Sequence, residues 1–453
     1  MHESDIKRAA SILDDDPDEA HKICSDILND SPDDSLALFL IGTIYARAGR
    51  HGIALPLFER VAMLAKHRPE AWNNIGMCLA ECHRYTDARA AFMRALDMQH
   101  NATHLANVAL THLNEGEYKT AIAMCKQALK MEPDHKGAWT TLGFASLAVG
   151  DWATGWKGFD HCLGGKFRKE ITHQAAPRWD GSKGKTVCVY GEQGIGDEIM
   201  YASCLPNAMK DARVIVECDP RLEGLFRRSF PDATVYGSRR TEAKWLDSVK
   251  LDANCAIGSL PGMYRPTRES CPKTPYLVAD PERRLQWRSL LDTYGNRPTI
   301  GICWSGGRQA TQAKRRQVGL EALRPLIESI DANWISLQYK DPMAEINASG
   351  MDVKHYARAV QSPDFDDTAA LVAECDVVIG IHTTVHHLAG ALGVPSIILV
   401  PDSPMWNYAT GDSLPWYGSQ RLWRQKPHEA WIDCIKRLDK SGMLNRYKMK
   451  AAA

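Results

Sequence analysis

The chain has 453 residues, too many for one compact core, so two or three domains are expected. Its 55 lysines and arginines equal its 55 aspartates and glutamates, so no global field draws it to nucleic acid or anionic lipid, and any charged ligand must be met locally. Thirteen scattered cysteines without a C-x-x-C pair fit free thiols in a reducing compartment better than a disulfide framework or a zinc site, which points to the cytoplasm.

The N-terminus, "MHESDIKRAASILDDDPDEA", is charged and lacks an apolar signal core, and no run approaches the roughly 20 apolar residues of a membrane span. Internal repetition follows. "LFLIGTIYARAGRHGIALPLFERVAML" and "WNNIGMCLAECHRYTDARAAFMRALDM" superimpose at a shift of 76 − 42 = 34 residues, pairing Gly42 with Gly76, Ala54 with Ala88 and Phe58 with Phe92. A weaker third copy carries Ala109 in the glycine position, and a fourth restores Gly143. The pattern resembles the tetratricopeptide repeat, a helix-turn-helix unit that stacks on its neighbours. "DIKRAASILDDDPDEAHKICSDILND" reads as a degenerate capping repeat, so the array is expected to span 1–162, followed by a linker, 163–184. Such an array serves as a spacer or dimerisation arm, or captures a peptide or protein partner. No basic stripe favours RNA.

From Lys185 the helical period gives way to short apolar runs. "TVCVYG", "ARVIVECD" and "ANCAIGSLP" form one set of buried parallel strands, and "TIGICWSGG", "NWISLQ", "DVVIGIH" and "PSIILVP" a second, interleaved with helical segments. The predicted class is therefore α + α/β: an α-solenoid, then a pair of doubly wound Rossmann-type domains at 185–283 and 297–445, with ligands expected at the carboxyl strand ends. The first such end is "VYGEQGIGDEI". It is not a phosphate-binding G-x-x-x-x-G-K-[ST] loop, because Asp197 and Glu198 stand at the lysine and hydroxyl positions. Nor is it a dinucleotide fingerprint, because Ile199 occupies the place of the third glycine.

The ordered set "GDWATGWKGFD", "RWDGSKGK", "YGEQGIGDEIMYASCLP", "ICWSGG", "SLQ", "DFDDTAAL", "VHHLAGALGVPSIILVP" and "LPWYGSQRLWRQ" resembles tetratricopeptide-repeat glycosyltransferases related to bacterial heptosyltransferases. The layout is also similar to that of protein O-GlcNAc transferases. This resemblance implies a GT-B fold and metal-independent, inverting transfer from a nucleotide-diphosphate sugar to an acceptor hydroxyl on a glycan or protein, with no further cofactor. The repeats would then hold the acceptor or a protein partner. It makes Asp197 the general base, with Gly194 and Gly196 letting the substrates approach closely; the alternative is that Asp197 only caps its helix. Glu192 and Glu198 are the reserve carboxylates.

The donor site implied is "GIHTTVHHLAGALG", where the N–H groups and hydroxyls of Thr383, Thr384 and Val385 would meet a diphosphate at a helix N-terminus. His382 departs from the family's acidic residue and is expected to touch the diphosphate and gain charge. His387 matches the family histidine, with helix packing as the alternative, and His386 is extra. Arg316 would stabilise the leaving diphosphate, with Arg308, Lys314 and Arg315 either assisting or forming a solvated loop. Ser305 and Gln338 are further donor contacts, Gln338 suited to base or ribose. Trp406, Trp416 and Tyr417 read as packing residues. No metal is expected: the D-x-D in "DFDD" reads as a helix N-cap at Asp366 or Asp367, and His382 with His386 lacks the glutamate of H-E-x-x-H. The alternative to a transferase is an interaction scaffold whose α/β part is inactive or senses a nucleotide sugar.

Overall fold

The computed structural model describes residues 2–165, 168–239, 241–307, 316–402 and 404–450, and the chain divides into two compact units, Met1–Val149 and Gly150–Ala453. Arg308, Lys314 and Arg315 lie outside the described residues.

The first unit contains the helices α1 (Glu3–Ile12), α2 (Pro17–Asp30), α3 (Ser35–Arg47), α4 (His51–Leu64), α5 (Pro69–Glu81), α6 (Tyr85–Met98), α7 (Ala102–Asn114), α8 (Tyr118–Met131) and α9 (Lys136–Val149). The repeat signature has a direct steric cause. A Cβ on Gly42 would come within 2.9 Å of the Phe58 ring, and one on Gly76 within 2.5 Å of Phe92. The glycine of each first helix thus admits the phenylalanine of its second, and Phe58, Phe92, Ala54 and Ala88 are all buried. Side chains start several helices: Asp34 accepts from the N–H groups of Leu36 and Ala37, and Asn101 from that of His104. Successive repeats are also tied through polar groups, as Asn107 Nδ2 donates to Asn73 Oδ1 at 2.6 Å.

The inter-helix turns carry the repeat as well. Gly49, Gly116 and Gly150 have φ of 73°, 81° and 89°, and His83 takes the equivalent place at φ 62°. A side chain in this left-handed region costs about 1–2 kcal/mol. We therefore expect His83→Gly to raise the stability of the repeat unit by roughly 0.5–1 kcal/mol and Gly116→Ala to lower it by at least as much. Urea unfolding followed by far-ultraviolet circular dichroism checks both, and a destabilised His83→Gly would show that the His83 to Tyr85 hydrogen bond outweighs the backbone strain.

The second unit opens with α10 (Trp152–His161) and contains two all-parallel sheets. The strands are β1 (Thr186–Tyr190), β2 (Arg213–Glu217), β3 (Thr234–Tyr236), β4 (Ala253–Ala256), β5 (Thr299–Cys303), β6 (Asn333–Ser336), β7 (Val353–His355), β8 (Val377–Ile381), β9 (Ser396–Val400) and β10 (Gln420–Arg424). Their orders are β3-β2-β1-β4 and β10-β9-β8-β5-β6-β7. The central strands are buried throughout, as their continuous apolar runs require, whereas β3, β7 and β10 carry no such run and are recognisable only by their pairing.

The sequence-based boundary at 162 is displaced. Trp152 of α10 stacks on Trp416 at 5.4 Å, Trp156 meets Trp406 edge-on at 5.8 Å, and Phe159 lies 6.1 Å from Tyr201. The indole of Trp156 also donates to the carbonyl of Arg265 at 2.9 Å. α10 has the pattern of a repeat helix but is a packed part of the α/β unit. The expected linker is likewise structural: Arg168 is fully buried and donates to Glu192, Ser259 and the Phe159 carbonyl, and Trp179 is 2% exposed. Among the described residues no helix is long and apolar enough to cross a membrane.

We expect a chain beginning at Gly150 to fold as a cooperative α/β unit. One beginning at Gly164 should melt at a clearly lower temperature, because it loses three buried aromatic side chains, each worth about 3–5 kcal/mol by truncation. Differential scanning calorimetry separates the two, and equal melting points would return α10 to the repeat array.

Candidate functional site

The glycine loop after β1 opens the helix Ile195–Ala202, capped at Gly194, whose N–H donates to Asp197 Oδ2 at 3.1 Å. Asp197 is therefore a helix cap in this structure, while no hydrogen bond reaches its Oδ1 among the described residues. Burial pushes its carboxyl above the ordinary aspartate range, against the pull of the Gly194 N–H and Arg316. The residue before Asp197, Gly196, is set by packing. A Cβ on Gly196 would lie 3.1 Å from Thr384 Oγ1 and 3.3 Å from His387 Cδ2, so the loop of the first sheet rests directly on the helix Thr384–Leu392 that follows β8. The carboxyl ends of β1 and β8 thus meet.

Helix Thr384–Leu392 has Thr383 at its N-cap without a side-chain cap, and the N–H groups of Thr384 and Val385 find no acceptor among the described residues. Thr383 is held on its other side: its Oγ1 lies 3.4 Å from Cys303 Sγ, and a Cβ on Gly306 would be 2.5 Å from its methyl. Arg316 reaches this place from the loop after β5. Its carbonyl accepts from Gly306 N at 3.0 Å, and Nη2 donates to the weakly accepting Met405 Sδ. No carboxylate lies within ion-pair distance of it among the described residues. Gly194, Gly196, Asp197, Arg316, Thr383, Thr384, Val385 and His387 therefore surround one cleft. Ser305 and Gln338 are adjacent but engaged with each other: Gln338 Nε2 donates to Ser305 Oγ at 2.5 Å, and its Oε1 accepts from the backbone of Trp304 and Ser305. Gln338 pins the loop after β5 rather than presenting a free amide.

The three histidines differ from expectation. His382 is 3% exposed with its ring 4.9 Å from that of Tyr408, and burial, reinforced by Arg316 and His386, holds it well below the ordinary histidine range. It is neutral and packed, which corrects the expectation of a cationic phosphate contact; its Nδ1 has no hydrogen-bond partner. His386 is fully buried, with Nε2 3.0 Å from the Gly380 carbonyl, and burial lowers it to about 4. His387 joins two tyrosines, Nδ1 to Tyr417 OH at 3.2 Å and Nε2 to Tyr408 OH at 3.1 Å, and burial lowers it to about 3. Tyr276 OH, 3.5 Å from Tyr417 OH, donates to the Ile199 carbonyl at 2.6 Å, so a polar chain runs from one lobe to the other. Tyr417 lies in the segment "LPWYGSQRLWRQ" and reads there as a packing residue, whereas its hydroxyl is a hydrogen-bond partner of His387; Tyr408 and Tyr276 lie in no motif.

The reserve carboxylates are committed elsewhere. Glu192 is paired with the buried Arg168. Glu198 contacts Arg239 and accepts from Asp219 N at 2.9 Å; burial outweighs Arg239 and pushes it up to about 8. The aspartates of "DFDD" also have partners: Asp364 and Asp367 bind Arg283, and Asp366 binds Arg228. The helix they begin is capped by Phe365, so neither Asp366 nor Asp367 is its N-cap.

The comparisons with known proteins fall chiefly on the repeats. Residues 39–102 and 105–135 match tetratricopeptide repeat families. Over 394 residues, 80% of this chain, it is 28% identical to Protein FlbA of Caulobacter vibrioides, and that match spans 65% of FlbA. BBSome complex member BBS4 of Bos taurus is 29% identical over 28% of this chain and 24% of its own length. Among solved structures, MamA aligns at 22% identity over 36% of this chain and 92% of MamA, with a TM-score of 0.31. PilW, a type IV pilus biogenesis factor, aligns at 20% over 35% and 74%, with a TM-score of 0.33. The N-terminal region is thus a tetratricopeptide array, followed by an α/β region with two parallel sheets.

The buried neutral histidines carry a pH signature. Each has a folded pKa below its unfolded value of about 6.5, so its contribution to stability is complete above 6.5 and is lost as pH falls towards the folded values. We expect the α/β unit to weaken steeply between pH 6.5 and 4, and His387→Gln to flatten the slope by nearly one proton. Urea titrations read by tryptophan fluorescence at several pH values check this; an unchanged slope would place a charged His387 in the fold.

Proposed function

We propose that this protein is an interaction protein of two parts: repeats that capture a protein partner, and an α/β unit that holds a nucleotide-diphosphate sugar between its lobes. The observation that carries the ligand reading is the uncapped N-terminus at Thr384 and Val385 with Arg316 beside it. Two orphan N–H groups, a helix dipole and a guanidinium with no carboxylate in ion-pair distance among the described residues form a cationic receptor that suits a diphosphate. The partner reading rests on the tetratricopeptide repeats, whose relatives include BBS4, a member of a complex. The sugar nucleotide is what the sequence resemblance to heptosyltransferase-related enzymes implies, and two parallel sheets with helices are compatible with it.

A second reading, transfer of the sugar to an acceptor hydroxyl on that partner, is favoured by one feature. Asp197 keeps Oδ1 unengaged near Arg316, and its raised carboxyl is a stronger base than an ordinary aspartate. The hydroxyl would lose its proton to Asp197 and attack the anomeric carbon, while the diphosphate leaves towards Thr384 and Arg316 without a metal.

Titration calorimetry with nucleoside diphosphates and their sugars tests the first reading. Arg316→Ala should weaken binding at least tenfold, whereas Asp197→Asn should change it less than twofold. Undiminished affinity in Arg316→Ala would remove the diphosphate from this cleft. Where turnover is found, Asp197→Asn should lower it about 100-fold or more, and chelators should not affect it; full activity in Asp197→Asn would leave that residue as a cap.

A further inference from the structure

The first sheet also presents a different chemistry next to the glycine loop, whose Gly191 N–H donates to the Glu217 carbonyl at 2.8 Å. The order β3-β2-β1-β4 places Glu217, at the end of β2, Cys188 on β1 and Asn254 on β4 on three adjacent strands. Cys188 faces Asn254 in register, and Glu217 faces Tyr190, two residues beyond Cys188 and so on the same side of the pleat. His173, from the segment before β1, closes over this face. Its Nε2, Cys188 Sγ and a Glu217 carboxylate oxygen all lie within 4.8 Å of one another. The residues are 15 and 29 positions apart, which is why no metal-ligand spacing is visible in the sequence.

We propose that His173, Cys188 and Glu217 bind a zinc ion. One imidazole nitrogen, one thiolate and one carboxylate form a borderline donor set that suits zinc, and the two anionic ligands neutralise its charge. The supporting groups are already in place. Ser238 Oγ donates to Glu217 Oε1 at 2.8 Å and accepts from the Trp245 indole, which leaves Oε2 for the metal. Asn254 Nδ2 donates to the backbone carbonyls of His173 and Ala176, fixing the segment that carries the imidazole. Outer groups of this kind orient ligands and set affinity.

A second observation points independently to a ligand. Asn254 is 4% exposed, yet its Oδ1 has no hydrogen-bond partner among the described residues. A buried amide oxygen left alone costs about 1–3 kcal/mol. Asn254 pairs with Cys188 across the sheet, and a water in zinc's fourth position would be the donor that this oxygen lacks. His173 Nε2 and Glu217 Oε2 now share a hydrogen bond at 2.8 Å. Ligand bonds of 2.0–2.2 Å in a tetrahedron would open that gap to about 3.3 Å, a movement within reach of the His173 segment. Binding releases the Cys188 thiol proton to solvent and forms the sulfur–zinc bond, without any redox change. The ion would tie the segment between α10 and β1 to the carboxyl end of β2, beside the glycine loop.

The full-length protein, stripped of metal with a chelator and titrated with cobalt(II), tests this directly. One equivalent should produce a thiolate-to-cobalt charge-transfer band, and zinc should abolish it by displacement. Cys188→Ser should lose the band, His173→Gln should bind at least tenfold more weakly, and Cys255→Ser, a buried thiol elsewhere on β4, should behave as wild type. Zinc should also raise the melting temperature of the wild type but not of His173→Gln. The wild-type titration decides even if a variant misfolds: absence of the charge-transfer band overturns the proposal, as does a band that persists in Cys188→Ser.

Discussion

The cleft of the α/β unit depends on a close contact between a loop and a helix at which a glycine fits best. Gly196 lies against Thr384 and His387, so the loop after β1 and the helix after β8 touch, and a Cβ there would push its neighbours by a few tenths of an ångström. Near that contact the charge of Arg316 is felt by Asp197, and the N–H groups of Thr384 and Val385 have no acceptor among the described residues. A diphosphate there would be gripped by oriented dipoles that need no reorganisation, which is the most effective way for a protein to hold an anion.

Two buried frameworks hold the lobes to this geometry. On one side, Arg168 and Glu192 form an ion pair with fully buried side chains, joining the segment before β1 to the glycine loop. Such a pair is weak evidence for net stability, but removing either partner strands a charge and costs about 3–5 kcal/mol. On the other side, the chain Ile199, Tyr276, Tyr417, His387, Tyr408 links backbone and side chains across the lobes. Because burial lowers His387 to about 3, the same chain that orders the cleft makes the unit sensitive to acid.

The tetratricopeptide unit follows a simpler logic. Each glycine–phenylalanine pair repeats one packing solution, and each turn reuses one left-handed residue, so the array is a sum of similar local terms. Its function would reside in the exposed faces that repetition presents, whereas the α/β unit concentrates its chemistry at one point.

The sequence by itself determined the elements whose signals are local. The 34-residue period, the buried strands β1, β2, β5, β8 and β9, and the glycine loop are written in contiguous residues, because helix pairing and central strands impose period and hydrophobicity on neighbouring positions. The edge strands β3, β7 and β10 were not legible, since their identity comes from a partner strand rather than from their own composition. Tertiary structure alone decided the rest. It placed α10, with its repeat-like pattern, in the α/β unit through Trp406, Trp416 and Tyr201; it withdrew Glu192, Glu198 and the "DFDD" aspartates into ion pairs with distant arginines; and it turned His382 from an expected cation into a neutral packed ring. Each of these outcomes turns on desolvation and on partners tens of residues away, and a charge or a ring has no fixed role until burial and its neighbours are known.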